Sequence, residues 1–78
     1  MDLEKELLDL ICKLSATSPE VIRNAKNWKA AGIDSLDTIE IMMEVNDHFN
    51  IKIEEEDENQ LTTFAKLYEY VANKINNK

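Results

Sequence analysis

Leu3, Leu7, Leu10, Ile11 and Leu14 recur at intervals of three and four residues, which gathers them on one stripe of an amphipathic helix over roughly residues 2 to 15. The periodicity lapses between Ser15 and Ile33. Within that long connection, Ser18-Pro19-Glu20 has the form of a capped start for one helical turn, and Val21, Ile22 and Trp28 are the apolar anchors expected to hold the segment down. A second helix is expected from about Ser35 to Phe49, where apolar residues return at helical spacing and no Gly or Pro intervenes. Ile51-Lys52-Ile53 is too short for a sheet and reads as an extended connector with its isoleucines turned inward. A short helix is expected near Asp57 to Leu61. Phe64, Leu67, Tyr68, Val71 and Ile75 mark the last helix, with Thr62 or Thr63 as its N-cap. The expected fold is all-α: a small four-helix bundle of three long helices and one short, with a long loop between the first and second. One domain spans residues 1–78.

Projected at about 100° per residue, the second helix separates into two surfaces. Asp37, Glu40, Glu44 and Asp47 fall on one strip. Ile39, Met42, Val45 and Phe49 lie away from it as the core face, and Leu36 and Met43 sit at the edge of the acids. An acidic strip bordered by apolar side chains has the composition of a docking surface, charge for steering and apolar groups for contact. A plain solvated outer face accounts for the same acids.

Charge adds direction to this picture. Sixteen acidic residues against nine basic give a net charge of −7, which argues against nucleic acid and favours a partner with a basic surface. Seventy-eight residues can build one small core but leave little room for a deep catalytic cleft. Cys12 is the single cysteine, so no intramolecular disulfide can form, and a reducing, cytoplasmic location is expected. No apolar run reaches membrane-spanning length, so no membrane insertion is expected.

Candidate chemistry concentrates at Asp34-Ser35-Leu36. Ser35 stands beside the start of the second helix, where unpaired N–H groups and the positive end of the dipole favour a phosphate group. Asp34 and Asp37 bracket the first turn as caps do. A nucleophilic role for Ser35 lacks a convincing base and oxyanion partner in the sequence. His48 has no second His or Cys at ligand spacing and reads as a surface residue. The run Glu54-Glu55-Glu56-Asp57-Glu58 reads as a solvated, self-repelling segment, without the alternating ligands and glycine of a calcium loop, and no metal site is expected.

Gly32-Ile33-Asp34-Ser35-Leu36-Asp37-Thr38-Ile39-Glu40, continuing through Met43 and Phe49 to Ile53, resembles the modification motif and recognition helix of acyl carrier proteins. The likeness extends to the chain length, the long first loop and Leu61-Thr62-Thr63 before the final helix. It implies a carrier that is not itself an enzyme. Ser35 would be esterified with 4′-phosphopantetheine, taken from coenzyme A by a phosphopantetheinyl transferase that uses magnesium. The arm's thiol would carry acyl groups as thioesters for fatty-acid or specialised acyl and polyketide biosynthesis. Asp34, Leu36, Asp37, Glu40, Met43, Glu44 and Asp47 would meet acyl-loading, condensing or transferring enzymes with basic docking surfaces, the carrier acting as a monomer. Met42, Ile53, Leu61 and Tyr68 would line an acyl cavity between the second, third and fourth helices, or serve as ordinary packing. Ala30-Ala31 stands where the family usually has an acid and a leucine, and Asn46 and His48 stand where further acids are common. An aminoacyl, D-alanyl or peptidyl carrier and an unmodified acidic helical adaptor are the alternative readings.

Overall fold

The computed structural model describes residues 2–76. Its helices are α1 (Leu3–Ser15), α2 (Pro19–Asn24), α3 (Ser35–Phe49), α4 (Glu55–Glu58) and α5 (Phe64–Asn76), with a 3-10 turn at Lys29–Ala31. The described residues contain no strand. The three long helices thus match the expected all-helical fold, and the long connection carries more helix than the single turn expected of it.

Local chemistry sets the ends of each helix. Asp2 is extended and its carboxylate accepts the Lys5 N–H at 3.2 Å, while Glu4 and Glu6 lie in the first turn of α1 and Lys13 in the last. The helix stops at Ala16, held in the left-handed region at φ 55°, where its N–H returns to the Cys12 carbonyl. Pro19 opens α2. Ile22 is buried but Val21 is exposed, contrary to its expected role as an anchor. Neighbours on a helix point about 100° apart, so this short helix can turn only one of the two into the core.

Trp28 organises the rest of the connection. Its carbonyl accepts the N–H groups of both Ala31 and Ile33, and Gly32 completes the turn at φ 83°. Its indole N–H donates to the Leu61 carbonyl at 2.6 Å, tying the loop to the segment between α4 and α5.

At the end of α3, Asn50 takes the left-handed conformation at φ 53°. The Asn46 carbonyl accepts the N–H groups of Asn50 and Ile51, and its side-chain oxygen accepts the Ile53 N–H at 3.0 Å. Asn46 therefore staples the connector, turning Ile53 into the core and leaving Ile51 half-buried. The short helix starts at Glu55 and ends at Glu58, earlier than the expected 57 to 61. Four acids in its first turn favour that placement at the positive helix end. Tyr70 of α5 clamps the segment: its hydroxyl donates to Asp57 at 2.8 Å and accepts the Glu54 N–H at 3.4 Å. Thr63, not Thr62, caps α5, accepting the Lys66 N–H on its hydroxyl at 3.2 Å.

One apolar cluster joins these elements, with Leu7, Ile11, Val45, Leu67 and Val71 fully enclosed. Two expected core residues fall outside it. Leu14, in the last turn of α1, is 44% exposed, and Ile39 of α3 is 50% exposed. The buried face of α3 is Ile41, Met42, Val45 and Phe49, and at about 100° per residue Ile39 lies more than a quarter turn from its centre. Cys12 is half-buried; burial, reinforced by the charge of Asp9, pushes its thiol above the usual 9.0.

Candidate functional site

Ser35 is the first helical residue of α3, with Asp34 as N-cap. The Asp34 carboxylate accepts the Asp37 N–H at 2.8 Å, and its carbonyl accepts both the N–H and the hydroxyl of Thr38, at 3.0 and 2.8 Å. This fixes the first turn and leaves the Ser35 and Leu36 N–H groups directed outward, as helix starts require. The Ser35 side chain is exposed, and among the described residues its hydroxyl has no hydrogen-bond partner. His48 sits at the other end of α3, roughly 20 Å away at about 1.5 Å per residue, with its ring Nε2 2.9 Å from Glu6 Oε1. The serine is presented to solvent without a neighbouring side chain engaged on it. Its hydroxyl is free to be esterified, and the helix start favours the negative charge of a phosphodiester. The residues present therefore fit a phosphopantetheine group.

The expected recognition residues all reach the surface. Asp34, Leu36, Asp37, Glu40, Met43, Glu44 and Asp47 are exposed, Leu36 by 73% and Met43 by 61%. Ile39 joins them, so Leu36, Ile39 and Met43, spaced three and four apart, form an apolar stripe beside the acids. Sequence reasoning missed this member of the stripe. It also missed Leu14, which helps line a groove of about 250 Å³ between α1 and α3, together with Ile41, Met43, Asp37, Glu40 and Glu44.

A second cleft, of about 450 Å³, opens beside Ser35 itself. Trp28, Lys29 and Ile33 form one wall, Thr38 of α3 and Thr62 before α5 another. Lys29 went unremarked in the sequence, although a lysine beside an aromatic loop anchor and close to the glycine turn was a usable signal.

Met42, Ile53 and Leu61 belong to the common core cluster, and Tyr68 packs at its edge, parallel to Phe64 with 6.4 Å between ring centres. Neither cleft beside α3 has any of these four in its wall. Asn46 and His48, which depart from the acids common in the family, both hold structure here: Asn46 the connector, His48 the contact to α1. Among the described residues no group of His, Cys, Asp and Glu is arranged to hold a metal ion, and no helix is long and apolar enough to cross a membrane.

Comparison with known proteins supplies the family. Residues 5–71 match the family model for the phosphopantetheine attachment site. The chain is 34% identical over 71 residues to the acyl carrier protein of Porphyromonas gingivalis (strain W83), covering 90% of this chain and 91% of that protein. It is 33% identical over 78 residues to the acyl carrier protein of Cylindrotheca sp. (strain N1), covering 99% and 98%. It is also 33% identical over 66 residues to clavatol synthase claF of Penicillium crustosum, covering 85% of this chain and 3% of that protein. An exposed serine at a capped helix start, an acidic helix behind it and a match over most of the length lead to one conclusion: the chain belongs to the acyl carrier protein family, non-catalytic carriers that bear phosphopantetheine.

Proposed function

We propose that Ser35 is the attachment point, and that the loaded protein acts as one carrier domain moving acyl thioesters between enzymes of fatty-acid or specialised acyl and polyketide biosynthesis. The carrying observation is the exposed, unpartnered Ser35 hydroxyl at the first position of α3. In loading, Ser35 Oγ attacks the pantetheine-side phosphorus of the coenzyme A pyrophosphate. The P–O bond to the nucleotide breaks, 3′,5′-ADP leaves, and the hydroxyl proton passes to a base of the phosphopantetheinyl transferase. Asp34 holds the first turn rigid and presents a carboxylate to the transferase and its magnesium. The bound group supplies a flexible arm ending in a thiol that holds acyl cargo as a thioester.

Recognition falls to α3. Asp37, Glu40, Glu44 and Asp47 steer basic partner surfaces, and Leu36, Ile39 and Met43 supply the dry contact. Met42, Ile53 and Leu61, with Tyr68 at the margin, are the residues that would part to shelter an acyl chain, the flexible Met42 giving way most readily. The names of the bacterial and algal relatives support acyl cargo over an aminoacyl, D-alanyl or peptidyl one. The single cysteine supports a reducing, cytoplasmic setting, and the protein acts as a monomer.

Intact-mass measurement after incubation with coenzyme A, magnesium and a phosphopantetheinyl transferase tests the attachment. One phosphopantetheine of added mass is expected on the wild-type chain and none on Ser35→Ala. No gain on the wild type, or an equal gain on the variant, rules the proposal out.

A further inference from the structure

The cleft beside Ser35 has a composition that the attachment alone does not require. Its volume, about 450 Å³, is within the range of roughly 300 to 1,000 Å³ typical of small-molecule sites. Ser35 itself is part of the wall, so whatever is joined to its oxygen starts at the cleft's edge. Lys29 also lines it and makes no ion pair among the described residues, in a protein whose net charge is −7. The polar groups around it have unused capacity. Asn27 accepts the Ala30 N–H on its side-chain oxygen at 2.7 Å, which leaves its NH₂ as a donor. The Thr38 hydroxyl donates to the Asp34 carbonyl, which leaves its lone pairs to accept. Thr62 makes no side-chain hydrogen bond among the described residues. Between them lie Trp28 and Ile33, both apolar and largely buried.

We infer that this cleft is a docking subsite for the protein's own phosphopantetheine arm, with Lys29 paired to the phosphodiester and the Trp28–Ile33 wall receiving the geminal methyl groups. The inference rests on Ser35 being the attachment point. A phosphodiester on Ser35 places negative charge next to the Asp34 carboxylate, and a lysine in the same cleft offsets that repulsion. Beyond the phosphate, the arm presents two branching methyls, a hydroxyl and two amides. Their order, apolar and then donor and acceptor, suits an apolar wall flanked by Asn27, Thr38 and Thr62.

The test compares apo and holo forms of the whole chain by intact mass and by NMR with the arm isotopically labelled from coenzyme A. The holo protein is expected to show NOEs from the arm's methyl groups to the indole of Trp28, the chain's single tryptophan, and to the Thr62 methyl. Lys29→Gln, at an exposed position with no ion pair, is expected to keep the mass gain and lose at least half of the NOE intensity. Lys26→Gln, in the same connection but outside the cleft, is expected to leave the NOEs unchanged. A full mass gain without these NOEs, or NOEs of equal strength in Lys29→Gln, overturns the subsite and leaves the attachment standing. No mass gain overturns both.

Discussion

The indole N–H of Trp28 donates to the backbone carbonyl of Leu61 at 2.6 Å, a buried bond between residues thirty-three apart in sequence. It joins the start of the 3-10 turn before α3 to the segment between α4 and α5. Trp28→Phe keeps an aromatic ring but leaves the Leu61 carbonyl unpaired away from water. An orphaned buried acceptor costs about 1–3 kcal/mol, and each kcal/mol lowers Tm by about 4–8 °C in a domain of this size. Urea unfolding is expected to show a lower midpoint at unchanged slope. A midpoint equal to the wild type's means that the bond contributes nothing.

Ile39 and Ile41 carry the same side chain two positions apart and meet opposite surroundings. Ile41 is 2% exposed and Ile39 50%. Ile41→Ala is expected to cost about 2–5 kcal/mol as a core truncation, whereas Ile39→Ser is expected to stay near 0.5 kcal/mol, as roughly expected for a surface change, while weakening partner binding. Comparable losses of stability at both sites would return Ile39 to the core.

The acids of α3 make a separate prediction. Glu40→Lys with Glu44→Lys, both exposed, is expected to leave the circular dichroism melt nearly unchanged and to weaken binding of a basic partner enzyme about tenfold at low salt. The difference is expected to shrink as salt is raised. Equal affinity at low salt makes the strip a solvated face only.

Tyr70 bears on stability at alkaline pH. Burial, with the hydrogen bond to Asp57, holds its phenol above the ordinary 10.0, partly opposed by the Glu54 N–H and by Lys74. The folded state thus favours the neutral phenol. Its contribution is complete below the unfolded value of 10.0 and is lost as pH rises through the higher folded value. Thermal melts across that window are expected to fall more steeply for the wild type than for Tyr70→Phe. Parallel curves would remove Tyr70 from the alkaline response.

Much of this was legible in the residues. The spacing of Leu7 and Ile11, and of Phe64, Leu67 and Val71, places α1 and α5, and Asp34 announces the start of α3. The rotation of α3 was not legible, because Leu36, Ile39, Ile41, Met42 and Met43 put apolar groups nearly all the way round its first half, and only the neighbouring helices choose among them. Leu14 continues a regular stripe past the point where the core ends, which periodicity has no means of showing. The Trp28–Leu61 bond and the Tyr70 clamp link distant segments through single polar atoms, and no local pattern encodes them. Lys29 gains its meaning only from the cleft that it shares with Ser35.

Cys12 has a bearing on cargo. A thioester is open to attack by any thiolate within reach, and Cys12 is the one thiol that the chain itself carries. Half-buried on α1, with Asp9 beside it, Cys12 holds its proton more firmly than a free cysteine does. A protonated thiol is a poor acceptor. Its raised proton affinity makes Cys12 a weaker competitor for a thioester than a free cysteine at the same pH.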